Sequence, residues 1–287
     1  MDYKAIISKI KSVRNYKEDE VNPQEFKELK AYYEKGKKLV EGIETEVLLK
    51  NKSEVYEQLK NAAGYCDLMI EAPHYLIFLS EEKDNYIENA GYAVQDIMLK
   101  ALSLGIGSCW ITIKDEETIK NKLNISSDKK LVALIALGFD DNKNKVIYDT
   151  IYEHNPTKTE VKVVEDNTSE RLGIKDVVFM SKWGNNADSD ELANLGLLEG
   201  FFYARLAPST MNRQPWRFIV DNGVIVLALR SDSYANEYEE KIDTGIIMLY
   251  FKAIIDSTLF DITWNFGKPE KNYEIPADYK IVGYCIS

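Results

Sequence analysis

The chain has 287 residues, with 47 acidic against 36 basic and a formal net charge of −11. That length buries one large or two modest cores, and that charge argues against a nucleic-acid backbone as a partner. Three cysteines without paired spacing and only two histidines argue against a disulfide framework and against zinc, and fit a reducing, cytoplasmic setting with the cysteines as buried filler.

Met1–Ile7 lacks a basic region followed by an apolar one, so no signal peptide is expected. The longest apolar runs, Leu131–Phe139 and Ile246–Phe251, are too short to span a bilayer, so no membrane partner is expected. Ser12-Val13-Arg14 lies among Lys9, Lys11 and Lys17, a set of hydroxyl and cationic donors that suits a phosphate. Taken alone it reads equally as a basic, exposed helix end. Asn22-Pro23 is a helix start. Lys27–Lys38 and Glu46–Ala63 are expected as solvated, highly charged helices, and Tyr75–Ser80 as a strand.

From Asn89 to Met98 the apolar residues recur at helical spacing, continuing through Ala101 and Leu102. Leu104-Gly-Ile-Gly-Ser-Cys-Trp-Ile-Thr112 follows, where glycines let a backbone approach a ligand closely, or simply cap a helix ahead of a buried Trp110. Leu131–Leu137 is a strand. Asp140–Asp166, with Asn155-Pro156, is a polar excursion. Gly184-Asn185-Asn186 is the expected link between two halves, and Ser189-Asp190-Glu191 the start of a helix through Leu192–Leu206. Then comes Ala207-Pro-Ser-Thr-Met-Asn-Arg-Gln-Pro-Trp216, leading into the strand Phe218–Val220. Two prolines stiffen this turn, so Ser209, Asn212 and Gln214 can face a ligand at little ordering cost; the alternative is a plain turn with Trp216 in the core.

The halves repeat. Asn89 and Asp243, Gly91 and Gly245, and Trp110 and Trp264 each stand 154 positions apart. Asp243-Thr244-Gly245 is expected to open the second long helix. Each unit is preceded by a strand (Tyr75–Ser80, Val224–Leu229) and followed by one ending in Gly-aromatic, at Gly138-Phe139 and Gly283-Tyr284. Ordered recurrence of this kind signals internal duplication.

Residues 208–216 resemble the Pro-Ser-x-x-Asn-x-Gln-Pro-Trp loop of the flavin-dependent nitroreductase family. Ser12-Val13-Arg14-Asn15-Tyr16 resembles that family's phosphate-gripping segment, Leu104–Ile111 its Gly-rich loop, and Arg171-Leu-Gly-Ile-Lys-Asp-Val-Val178 its C-terminal tail. The resemblance implies an α+β nitroreductase-like fold, with central antiparallel and mixed sheets flanked by helices. Two half-repeats, residues 1–183 and 184–287, would form a single-chain, monomeric pseudo-dimer. It implies FMN, with NAD(P)H as electron donor and a nitroaromatic or quinone-like acceptor reduced by ping-pong kinetics, the flavin rather than a side chain carrying the chemistry.

The residues implied to hold FMN are Lys11, Ser12, Arg14, Asn89, Trp110, Ile111, Thr112, Arg171, Pro208, Ser209, Asn212 and Gln214. The amides of Ile111 and Thr112 would face the reduced ring. The first half lacks the Pro-Ser loop, its place being assigned to Thr45–Leu68, and the second lacks the Ser-x-Arg segment. One FMN site is therefore expected, its symmetry mate having decayed. Two departures stand out: Ile10 where the family carries Arg, and Asn89 where it carries Asp. A flavin carrier or sensor, or a scaffold without flavin, are the alternatives.

Overall fold

The computed structural model describes residues 1–36, 38–64, 68–141, 170–258 and 260–286, and the backbone of 147–148 and 161–162. In chain order the elements are α1 (Tyr3–Ile7), α2 (Pro23–Lys35), β1 (Thr45–Asn51), α3 (Lys52–Leu59), β2 (His74–Ser80), α4 (Tyr86–Ser103), β3 (Gly107–Ile111), α5 (Glu116–Lys122) and β4 (Lys130–Gly138). A two-stranded pair, β5 (Ile147–Tyr148) and β6 (Val161–Lys162), precedes α6 (Ile174–Val177) and β7 (Val178–Met180). Then follow α7 (Ser189–Asn194), α8 (Leu198–Ala204), β8 (Trp216–Asp221), β9 (Val224–Arg230), α9 (Glu237–Ile255), β10 (Asn265–Phe266) and β11 (Tyr279–Ile286).

Both main sheets share one topology. The first runs β1-β2-β4-β3, and the second runs β8-β9-β11-β10 with β7 added on the β8 edge. All ladders are antiparallel except β7 on β8, which is parallel. β7 precedes the expected division at 183/184 and yet completes the second sheet. The inner faces of both sheets enclose α4 and α9 in one continuous core, where Phe78, Ile135, Phe218 and Leu227 join Val94, Ile247 and Phe251. Outside the first sheet, Val55 and Leu59 of α3 and Ile119 of α5 cover Tyr75, Ile77 and Leu134.

α4 and α9 meet at the two glycines picked out by the repeat. A Cβ on Gly91 would lie 2.5 Å from the Ile242 carbonyl oxygen, and one on Gly245 1.9 Å from that of Glu88. Glu88 and Ile242 are themselves 154 positions apart, so each helix presents its glycine to the same turn of the other. Only residues without a Cβ allow this approach.

Four expectations about elements need correction. Glu46–Ala63 is not one charged helix: Thr45–Asn51 pairs along its whole length with β2, and the helix starts at Lys52 behind an Asn51–Glu54 capping box. The run Val47-Leu48-Leu49, set beside a strand buried at all seven positions, gains more from pairing than from helix. α9 begins at Glu237, behind an Asn236–Glu239 capping box, which leaves Asp243 buried inside the helix rather than opening it. The helix expected through Leu192–Leu206 starts at Ser189 with Asp188 as its cap, and breaks at Gly196, where φ is +71°. α2 stops at Lys35, short of Lys38.

Cys109 and Cys285 are buried free thiols. Tyr65, Cys66, His154 and Asn155-Pro156, and Asp140–Asp166 apart from its first two residues and the β5–β6 backbone, lie outside the described residues. Among the described residues no helix is long and apolar enough to cross a membrane, and no group of His, Cys, Asp or Glu is arranged to hold a metal ion.

Candidate functional site

The expected site residues fall into two groups. The N-terminal group lies along β3. Ser12 bridges Ser108 in parallel fashion, and the Val13 N–H donates to the Ser108 carbonyl at 3.0 Å. Gly107 makes this possible, because a Cβ there would lie 2.6 Å from the Val13 side chain. Ser12 and Arg14 are exposed, while Lys11 pairs with the Asp140 carboxylate. Burial pushes the Cys109 thiol upward, opposed first by the positive charge of Arg14 and then by a Ser12 hydrogen bond.

The second group knits the Arg171 tail to the Pro-Ser loop. Arg171 donates to the Asn212 Oδ1, and the Leu172 N–H donates to the Gln214 Oε1 at 2.8 Å. The amide nitrogens of Asn212 and Gln214 both donate to the Glu170 carbonyl, at 3.2 and 3.1 Å. Within the loop, Ser209 Oγ accepts from the Gln214 N–H at 2.9 Å. Met211, Asn212 and Gln214 all have positive φ, near +50°, a backbone held in place by these side-chain bonds. Pro208 is half-buried, and Trp216 is wholly buried with its indole nitrogen unpartnered.

Arg171 is half-buried, and burial first, with the neighbouring Arg205 guanidinium adding to it, lowers its pKa against the pull of Tyr250. Arg205 donates to the Leu172 carbonyl at 3.4 Å. Among the described residues neither guanidinium has a carboxylate at ion-pair distance. Two neighbouring, partly desolvated guanidinium groups are chemically matched to a phosphate.

Trp110 and Asn89 are placed by α4. The Trp110 indole N–H donates to Gln95 at 3.0 Å, and Gln95 donates to the Tyr250 hydroxyl at 3.2 Å. Asn89 is wholly buried, and its carboxamide oxygen accepts from the N–H groups of Leu39 and Val40 at 3.2 and 3.1 Å. Asp243, its repeat partner, does the same for the Thr210 N–H at 3.0 Å. The first half's counterpart of the Pro-Ser loop is therefore the stretch around Leu39-Val40, not Thr45–Leu68. Ile111 is buried in β3, and the Thr112 carbonyl accepts from the Gly64 N–H at 2.9 Å.

A family model described as "Putative TM nitroreductase" matches residues 2–255. The chain belongs to this nitroreductase family. Its class of activity is accordingly that of an oxidoreductase. A solved Thermotoga maritima chain described as a "putative nitroreductase" aligns with 100% of this chain and 93% of its own length, at 16% identity and a TM-score of 0.56. An FMN-dependent nitroreductase from Clostridium difficile R20291 is 24% identical over 52% of this chain and 98% of its own, with a TM-score of 0.42. A "putative NADH oxidase" from Clostridium acetobutylicum is 23% identical over 48% and 88%, with a TM-score of 0.40. The Thermotoga likeness speaks for the fold, which is the nitroreductase-like α+β fold expected from the motifs.

Within this nitroreductase fold, Arg205 bonds to Leu172, Gln95 to Trp110 and Tyr250 to Gln95, and the motifs pointed to none of the three. Arg205 stands three residues before Pro208 and was open to notice as a cation next to the loop. Gln95 and Tyr250 are 155 residues apart, each on an otherwise apolar helix face, and only the crossing of α4 and α9 brings them together.

Proposed function

We propose that the chain is an FMN-dependent oxidoreductase that takes electrons from NAD(P)H and passes them to a nitroaromatic or quinone-like acceptor. The site is a single one, formed between the halves 1–183 and 184–287 of a monomeric pseudo-dimer in the cytoplasm. The observation that carries the reading is the bonding of the Arg171 tail to Asn212 and Gln214, with the Arg205 guanidinium beside it and no carboxylate at ion-pair distance from either guanidinium among the described residues. That donor set fits a phosphorylated, polar-edged ligand such as FMN. When bound, FMN supplies hydride and electron transfer between two substrates that use the cleft in turn.

The chain's own residues bind and orient. Arg171 and Arg205 offer paired cations to the phosphate, and Ser12, Arg14 and Lys11 offer further donors from the first half. Ser209 and Asn212 give the loop its polar surface, Gln214 ties it from beneath to the Arg171 tail, and Pro208 keeps it stiff. The backbone at Trp110, Ile111 and Thr112 supplies fixed dipoles toward developing negative charge, and Asn89 braces the first half as Asp243 braces the second.

Steady-state kinetics with NADH or NADPH against a nitroaromatic or quinone acceptor test this. Parallel double-reciprocal lines are expected. Intersecting lines would contradict turn-taking in one cleft, and reduction by NAD(P)H no faster than that of free FMN would make the protein a carrier.

A further inference from the structure

We infer that Gln95 and Tyr250 are positioning residues of the flavin site, holding Trp110 of the first half against α9 of the second; this rests on the FMN reading above. Both side chains are 0% exposed. Gln95 is bonded at each end, accepting from the Trp110 indole and donating to the Tyr250 hydroxyl. Tyr250 in turn lies in the field of the Arg171 guanidinium, which holds Asn212. A buried, hydrogen-bonded line thus runs from Trp110 of β3 through Gln95 of α4 to Tyr250 of α9.

The internal repeat supplies the control. At the position 154 residues on from Gln95 stands Leu249, and the residue preceding Tyr250 by the same interval is Asp96. Trp264, the counterpart of Trp110, needs no glutamine: its indole N–H donates to the Met248 carbonyl at 3.1 Å. Asp96 instead accepts from the hydroxyls of Tyr3 at 2.8 Å and Tyr32 at 3.0 Å. The same helix crossing therefore packs with an apolar side chain where Gln95 stands. The counterpart crossing folds without such a line, so the framework does not demand it. The line exists on one side only, the side that carries Arg171 and the Pro-Ser loop. Its effect is to fix the Trp110 indole, and with it the end of β3, relative to α9.

The test compares Gln95→Leu, which installs the counterpart's own residue, and Tyr250→Phe, which removes one hydroxyl. FMN affinity of the flavin-stripped proteins is measured by quenching of flavin fluorescence, alongside thermal unfolding without FMN. Tyr250→Phe is expected to unfold within about 3 °C of wild type and Gln95→Leu within about 8 °C, and each to bind FMN about tenfold more weakly at a temperature where both are folded. The double variant should lose less than the product of the two, because both cut the same line. Unchanged FMN affinity in both variants overturns the inference, as does a loss of affinity that merely follows a loss of stability. Should Gln95→Leu not fold, Tyr250→Phe alone decides. A wild-type chain that takes up no FMN in the same titration overturns the FMN reading itself, and the inference with it.

Discussion

Asp243 carries the clearest titration consequence of any single residue. It is 1% exposed, accepts from the Thr210 N–H, and lies 3.7 Å from Arg213, whose guanidinium pairs more closely with Asp232 at 2.6 Å. Burial pushes its carboxyl up to about 7, with the Thr210 N–H and Arg213 opposing. Because that value lies above the ordinary 3.8, the folded protein holds the proton more tightly than the unfolded chain does. The stability linked to this group is complete below the ordinary value and is lost as pH rises through about 7. Asn89 braces its own loop without a charge. Asp243→Asn should therefore gain on wild type as pH rises, by on the order of 1 kcal/mol or more between about pH 5 and about pH 8. Urea melts of both proteins at the two pH values measure it, and parallel pH profiles would contradict the assignment. At Arg171 a different outcome is expected. Arg171→Ala unties Asn212 and removes a phosphate donor, so FMN affinity should fall about tenfold or more, read by the same fluorescence titration; an unchanged affinity would remove Arg171 from the site.

Among the elements, the crossing of α4 and α9 is the most demanding piece of packing. Gly91→Ala and Gly245→Ala each drive a methyl group into a backbone carbonyl of the opposite helix, which cannot turn aside as a side-chain tip would. Each should cost about 2 kcal/mol or more in equilibrium unfolding, Gly245→Ala more than Gly91→Ala because its contact is shorter. A loss below half a kilocalorie in either would mean that the helices are farther apart than described.

That the two glycines meet at this crossing was not legible in the sequence, but the repeat behind it was, since the shared spacing of Asn89/Asp243, Gly91/Gly245 and Trp110/Trp264 requires only counting. So were the long strands β2, β4 and β9, whose apolar runs are continuous because both faces are covered. β1 was not legible: Glu46 and Lys50 give it the look of a charged helix, and its strand character comes from pairing with β2. The loop around Leu39-Val40 escaped because its likeness to the Pro-Ser loop is one of bonding to Asn89, not of residue type. Gln95 and Tyr250 escaped for a related reason: a polar residue in an apolar run shows its partner only after the helices cross.

Over the whole molecule, two sheets of one topology close around a single core, and β7 crosses from the first half to complete the second sheet. The duplication keeps the strand order and the central helix of each half and is broken in the chemistry of their side chains. On one side Gln95 joins Trp110 to Tyr250 and Arg171 holds the Pro-Ser loop; at the repeat positions of Gln95 and Tyr250 stand Leu249 and Asp96, which accepts from Tyr3 and Tyr32. A fold that repeats its framework but not its polar groups should hold one cofactor, not two. The most direct check is to saturate the purified chain with FMN, remove the excess, denature it, and count released flavin against chain concentration. One FMN per chain is the predicted result; two per chain, or none after saturation, would contradict a single flavin site formed between the halves.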